Sequence, residues 1–196
     1  MPGKKVAEEI RREQILDAAY RVALRERLAG LKSRAVAAEA GVSNGLVFFH
    51  FRNRKALLLA LLEWLLAETI LRRAVNRGAV AEGAAERLAS EVRSAVEALA
   101  ADRERIELFF DYWFMSSKDE VIRKRIRAAL KLYRDSYLPL TRAVVEERPA
   151  EYAGVTAEAL ADMVTSYIEG CALRLVADPS RRDLSSSSSV LSALLR

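Results

Sequence analysis

The stretch SNGLVFFHFRNRK, residues 43–55, gathers the chain's only histidine, three cations and two amides around five apolar side chains. Asn44 can donate and accept at a base edge or a phosphate. His50, Arg52, Arg54 and Lys55 offer donors to phosphate oxygens, which fix register rather than read sequence. Elsewhere, side chains that could do chemistry are sparse. One Cys and one His cannot build a zinc site. No nucleophile–base pair or phosphate-cradling glycine loop accompanies them, so an enzyme on a helical scaffold stands only as an alternative. Neither a metal nor a cofactor is expected.

A group of donors this dense has to be displayed by something rigid. Upstream, Ile15, Leu16, Ala19, Val22 and Ala23 recur at spacings of three and four, which predicts a helix from about Ala7 to Arg27 ended by Gly30. Short helices are expected over 33–40 and 44–50. Ala37 is small enough for close helix packing, Gly41 can take a left-handed turn, Val42 plugs the shared core and Ser43 caps the next helix. Two short helices about a tight turn outline a helix-turn-helix. Its second helix would lead with Asn44, Gly45 and Leu46, where the positive end of the dipole faces outward and a major groove would be met. Phe51, with one of Phe48 and Phe49, is expected to anchor the module to its own core.

The run LKSRAVAAEAGVSNGLVFFHFRNRKALL, preceded by RREQILDAAYRVALRERLAG, resembles the N-terminal domain of the TetR family of one-component bacterial regulators. The match covers roughly residues 10–62. It implies an all-α chain: a three-helix DNA-binding domain over 1–55, with the motif at about 32–51, followed by a larger helical regulatory and dimerisation domain over 56–196. It implies DNA contacts from Lys32, Ser33, Arg34, Ser43, Asn44, Gly45, Leu46, Phe49, His50, Arg54 and Lys55. Leu46 stands where the family usually has Thr or Ser, and Phe48 where it has a Tyr that often reaches a phosphate. Arg54 replaces a Lys and Lys55 a frequent Glu. These departures bear on which operator is read. The implied assembly is a homodimer on a palindromic operator, with modules about one helical turn of DNA apart, roughly 34 Å.

Asn53 is expected to cap a long helix running from Arg54 to about Asn76. Further helices are expected over 83–101 and 103–116. A capping box of Ser117 with Glu120 would open another to about Glu147, kinked or split at Pro139. Thr156 would cap a last helix to about Val176. The serine-rich LSSSSSVLSALLR favours flexibility over helix. MSSKDEVIRKRIRAALKLYRDSYLPLTRAVVEE and EALADMVTSYIEGCALRLVADP resemble the BetI-like C-terminal subgroup, whose last two long helices pair with their copies. In that light Leu160, Val164, Tyr167, Ile168, Cys171 and Leu175 form an expected dimer stripe, with Gly170 permitting close approach; the alternative is that the stripe faces its own core. The aromatic cluster IELFFDYWFM suggests an effector pocket of Phe109, Phe110, Trp113 and Phe114 with Trp64, suited to an acyl or aryl group, or to a cation over a ring. Its alternative is ordinary core packing. Cys171 reads as a small buried hydrophobe rather than a sensor thiol.

Charge supports a polyanion partner. Residues 1–55 hold 12 Lys/Arg against 6 Asp/Glu, a net +6, whereas the remainder holds 20 against 21. A basic module on a near-neutral body is the footprint of nucleic-acid binding. The alternative is a basic helical interaction module that binds acidic partners or lipid without sequence preference. The charged N-terminus has no apolar signal region. No apolar run reaches the roughly 20 residues of a membrane span. A single Cys points to a reducing, cytoplasmic setting without internal disulfides. The expected function is therefore a dimeric, ligand-responsive repressor released from its operator by a small-molecule effector; an activator or corepressor would use the same parts.

Overall fold

Helix formers spaced for amphipathic packing fold as helices throughout the described chain. The computed structural model describes residues 2–68, 83–178 and 180, in which nine helices and no strand occur. They are α1 (Pro2–Gly30), α2 (Ser33–Ala40), α3 (Asn44–Phe51), α4 (Arg54–Leu66), α5 (Ala84–Ala101), α6 (Arg103–Ser116), α7 (Glu120–Asp135), α8 (Leu138–Glu147) and α9 (Ala157–Ala177). No helix among these residues is long and apolar enough to cross a membrane. The expected continuation of α4 to Asn76 and the serine-rich tail lie outside the described residues.

The chain divides into two compact units, one of residues 1–67 with 107–126, the other of 68–106 with 127–196. In the first, α1 packs on α2 and α4, and α3 bridges α2 and α4. The stripe predicted on α1 is its core face: Ile15, Ala19, Val22 and Ala23 are fully buried. Seven of the thirteen residues of α4 are buried, Leu57, Leu61, Leu62 and Leu65 almost completely. At about 2 kcal/mol for each fully buried leucine, this helix is the unit's main apolar contributor.

The second half of α6 belongs to the same unit. Tyr112 is fully buried, and its hydroxyl donates to the Leu58 carbonyl of α4 at 2.8 Å. Arg125 pairs with Glu63 at 2.8 Å, and Lys55 with Asp119 at 2.8 Å. In the other unit α5, α8 and α9 pack on one another. Glu147 of α8 accepts from the Ala84 N–H at 2.9 Å, capping α5, whose own N-cap is the side-chain-less Gly83. Buried Thr141 donates to the Ala157 carbonyl at 2.9 Å, tying α8 to the start of α9.

Two boundaries differ from the sequence reading and a third agrees with it. The break in α1 falls at Arg27, with φ 59° and ψ 179°, and helix resumes to Gly30. The helix does end at Gly30, where a side chain would meet Glu26, one turn earlier. Ser117 and Glu120 form no capping box. Asp119 caps α7 by accepting from the Val121 N–H at 2.9 Å and the Ile122 N–H at 3.3 Å, while Ser117 donates back to the Phe114 carbonyl at 2.8 Å. An acidic side chain one residue before the helix outcompetes a serine three back, because it reaches two free N–H groups and the positive helix end. Pro139 splits its helix, as expected: α7 ends at Asp135 and α8 begins at Leu138, with the proline in the first turn, where no N–H is required.

Candidate nucleic-acid interface

Between α2 and α3 the backbone turns within three residues. Gly41 sits at φ 64°, ψ 33°, a conformation that favours glycine. The Val42 N–H then donates to the Ala37 carbonyl at 3.0 Å, closing the end of α2. Ser43 is extended, and its Oγ accepts from the Leu46 N–H at 3.2 Å. Ala37 is buried against its neighbours as its size predicts. On α3, Val47 and Phe51 are the inward pair, and the Arg12 guanidinium lies 5.2 Å from the centre of the Phe51 ring. Asn53 caps α4 through the Ala56 N–H at 2.9 Å. The Gly41 turn, the Ser43 and Asn53 caps, small Ala37 and inward Phe51 were expected from residue type, and together with Val47 they hold α3 as a displayed helix.

What α3 presents differs from expectation in one respect. Neither Phe48 nor Phe49 anchors the core: they are 46% and 68% exposed. With Val47 and Phe51 already inward, the 100° step per residue turns both phenylalanines towards solvent. Gly45 is exposed beside them. His50 is half-buried, its ring 5.2 Å from that of Phe49 in an edge-on contact. Asn44 is half-buried, with Oδ1 shielded from solvent and unpartnered among the described residues. Lys32 and Arg34 are exposed at the start of α2, and Ser33 and Leu46 are half-buried.

Two cations expected at phosphates already have protein partners. The Arg54 guanidinium donates to the carbonyls of Leu28 at 2.6 Å, Leu31 at 3.0 Å and Ala29 at 3.5 Å, satisfying the end of α1. Lys55 pairs with Asp119 and holds that carboxyl below its ordinary range, helped by the Ile122 N–H. Glu39 of α2 accepts from Arg21 at 2.8 Å and Arg25 at 3.2 Å, and the Arg21 bond is the main reason its carboxyl is lowered. The α1–α2 pair therefore carries its own charge clamp.

Sequence reading missed the link around Arg27. Its guanidinium donates to Asp111 Oδ1 at 2.8 Å, to the Glu107 carbonyl at 3.2 Å and to Glu107 Oε2 at 3.4 Å. Glu107 and Asp111 lie one turn apart, so their shared face was legible; a partner 80 residues upstream was not. A left-handed non-glycine backbone costs on the order of 1–3 kcal/mol, and these bonds offset it at Arg27.

The aromatic cluster is brought together only in part. Phe109 contacts Phe110 and Trp113, with ring centres 5.8 Å and 6.0 Å apart. Trp64 instead lies on Tyr20 at 4.9 Å. Phe114 is 70% exposed. On α9, Leu160, Val164, Ile168, Cys171 and Leu175 are buried inside the subunit and Tyr167 is half-buried, its phenol pushed up to about 12, chiefly by burial. That stripe, expected to meet a second copy, instead faces the subunit's own core, because its branched side chains are already covered by the packing of α5, α8 and α9. The opposite face, Ala159, Met163, Ser166, Gly170, Leu173 and Ala177, is exposed at alternating spacings of four and three.

Comparison with known proteins matches both parts of the chain. Residues 15–61 match the bacterial regulatory proteins of the tetR family, and residues 84–196 match the C-terminal region of BetI-type transcriptional repressors. No curated protein matches the sequence. The fold is shared with a TetR transcription regulator from Haloarcula marismortui ATCC 43049, at 18% identity and a TM-score of 0.76 over 95% of this chain and 97% of that one. It is also shared with the Bacillus subtilis regulator FadR in complex with stearoyl-CoA, at 21% identity and a TM-score of 0.73 over 93% and 96%. A Saccharomonospora viridis protein in complex with choline superposes at 20% identity and a TM-score of 0.75 over 94% of each chain. With its capped helix-turn-helix, its BetI-type body and this shared fold, the chain belongs to the TetR family of transcriptional regulators.

Proposed function

We propose that the protein is a homodimeric repressor that occupies a palindromic operator and leaves it when a small apolar effector binds. The observation that carries the DNA part is α3 itself, capped by Ser43, set by Gly41 and turned outward on the basic quarter of the chain. In the family such a helix enters the major groove, and two copies about 34 Å apart meet successive half-sites. Pairing through the exposed α9 face would bring two copies together. Its small residues allow close approach, and Met163 and Leu173 supply apolar area.

For the effector, the half-buried Phe109 and Phe110 with Trp113 favour an acyl or aryl group. The stearoyl-CoA bound by the Bacillus subtilis regulator and the choline bound by the Saccharomonospora viridis protein supply probes of the two chemistries. Release requires the effector to prefer the DNA-incompetent arrangement. A reducing cytoplasm suits the single, buried Cys171.

Fluorescence anisotropy of a labelled operator duplex, challenged with long-chain acyl-CoA and separately with choline, tests the effector. Release by acyl-CoA alone is the expected result. Release by choline alone would reassign the ligand class, and binding that never distinguishes operator from random DNA would remove the repressor reading.

A further inference from the structure

The outward face of α3 carries almost no hydrogen-bonding capacity. Gly45 and Phe49, one turn apart, lie opposite the buried Val47 and Phe51, and Phe48 stands beside them at 46% exposure. Asn44 has its Oδ1 shielded, and the His50 ring rests edge-on against Phe49. A bidentate reader of guanine or adenine would need an Arg, Lys, Asn or Gln on that face. Two adjacent exposed phenylalanines need a different partner. The major groove offers one apolar group on its base edges, the C5 methyl of thymine.

We infer that α3 reads its operator by apolar contact, with Phe49, flanked by Phe48, packed on thymine methyl groups. Gly45, having no side chain, lets the helix approach closely enough for the Phe49 ring to reach the base edges. The exposed Lys32, Arg34 and Arg52 supply affinity through phosphates without adding sequence preference. The inference rests on the operator-binding reading above and names the chemistry by which that operator is recognised.

The test uses the duplex most enriched from a randomised library by the full-length protein. Each thymine is replaced in turn by deoxyuridine, which removes the methyl and keeps every hydrogen-bonding group. Binding is expected to weaken roughly fourfold at one or two thymines per half-site, the amount one lost methyl contact implies, and to be unaffected at the others. Phe49→Ala should bind the thymine and deoxyuridine duplexes alike. Phe49→Leu, still apolar, should keep a reduced preference. Both substitutions fall on an exposed side chain, so folding is not at issue. Enrichment of a duplex that tolerates deoxyuridine at every position would overturn this inference and leave operator binding standing. Enrichment of no duplex would overturn both.

Discussion

Removing the Arg54 guanidinium would leave the carbonyls of Leu28 and Leu31 without their donor, at the joint where α1 hands over to α2. Hydrogen bonds from a charged donor contribute about 1.5–3 kcal/mol when shielded; for this exposed arginine about 1 kcal/mol is expected. Arg54→Ala should therefore lower the urea midpoint and leave the salt dependence of DNA binding unchanged. A salt slope reduced by about one per subunit would instead assign Arg54 to a phosphate. Tyr112 gives a cleaner case. Burial raises its phenol far above the ordinary range, so it remains a donor at any working pH, and Leu58 is its acceptor. Tyr112→Phe keeps the ring volume and loses one hydrogen bond, which should cost about 1 kcal/mol in equilibrium unfolding. Neither role was legible beforehand. Arg54 reads as a surface cation from its neighbours, and Tyr112 as one of five aromatics in a row of ten residues. Only the packing of α4 separates them.

Helix ends were the most readable features, because a cap is a local bargain between one side chain and the next three N–H groups. Ser43, Asn53 and Thr156 each cap the helix they precede, and Gly41 adopts its left-handed turn. Gly41→Ala should destabilise the DNA-binding unit by about 1 kcal/mol through backbone strain, with Gly41→Asn less harmful; thermal unfolding of the two variants checks the order. The start of α7 shows where local reading failed. Asp119 wins its cap partly because Lys55, 64 positions upstream, pairs with it, and a window of ten residues cannot contain both. This pairing has a pH signature. The Asp119 carboxyl is lowered in the folded state, as are Glu39, held by Arg21, and Asp135, held by Lys131. Groups of this sign stabilise the fold above their ordinary value, about pH 4, and the contribution is lost as pH falls through the lowered folded values. Melting temperature should thus fall below about pH 4. Asp119→Asn, which keeps an acceptor for the cap and cannot titrate, should show a shallower fall, and an unchanged acid limb would count against the pairing.

For the molecule as a whole, periodicity located the apolar stripe of α9 but assigned it the wrong partner, a second copy of the chain. Leu160, Val164, Ile168, Cys171 and Leu175 fill the subunit's own core, since a stripe of branched side chains serves either purpose and composition alone does not choose. The proposed partner surface is the opposite, small-residue face. Leu173→Glu, at a side chain 52% exposed, should convert the dimer to a folded monomer in sedimentation equilibrium. A dimer that survives it must use another face. The helix order was legible because the longer helices carry their own three-and-four spacing, although α1 runs from Pro2 to Gly30 where about Ala7 to Arg27 was expected. The compact units were less so, for residues 107–126 join the first unit through Tyr112, Arg27 and Lys55, contacts that span 50 or more positions. Selection of genomic fragments by the purified protein at moderate salt addresses operator reading directly. A palindrome with half-sites one helical turn apart, retained over random DNA, is the predicted result. Fragments recovered in proportion to length, with no shared sequence, would contradict it and leave a basic helical module that binds charge alone.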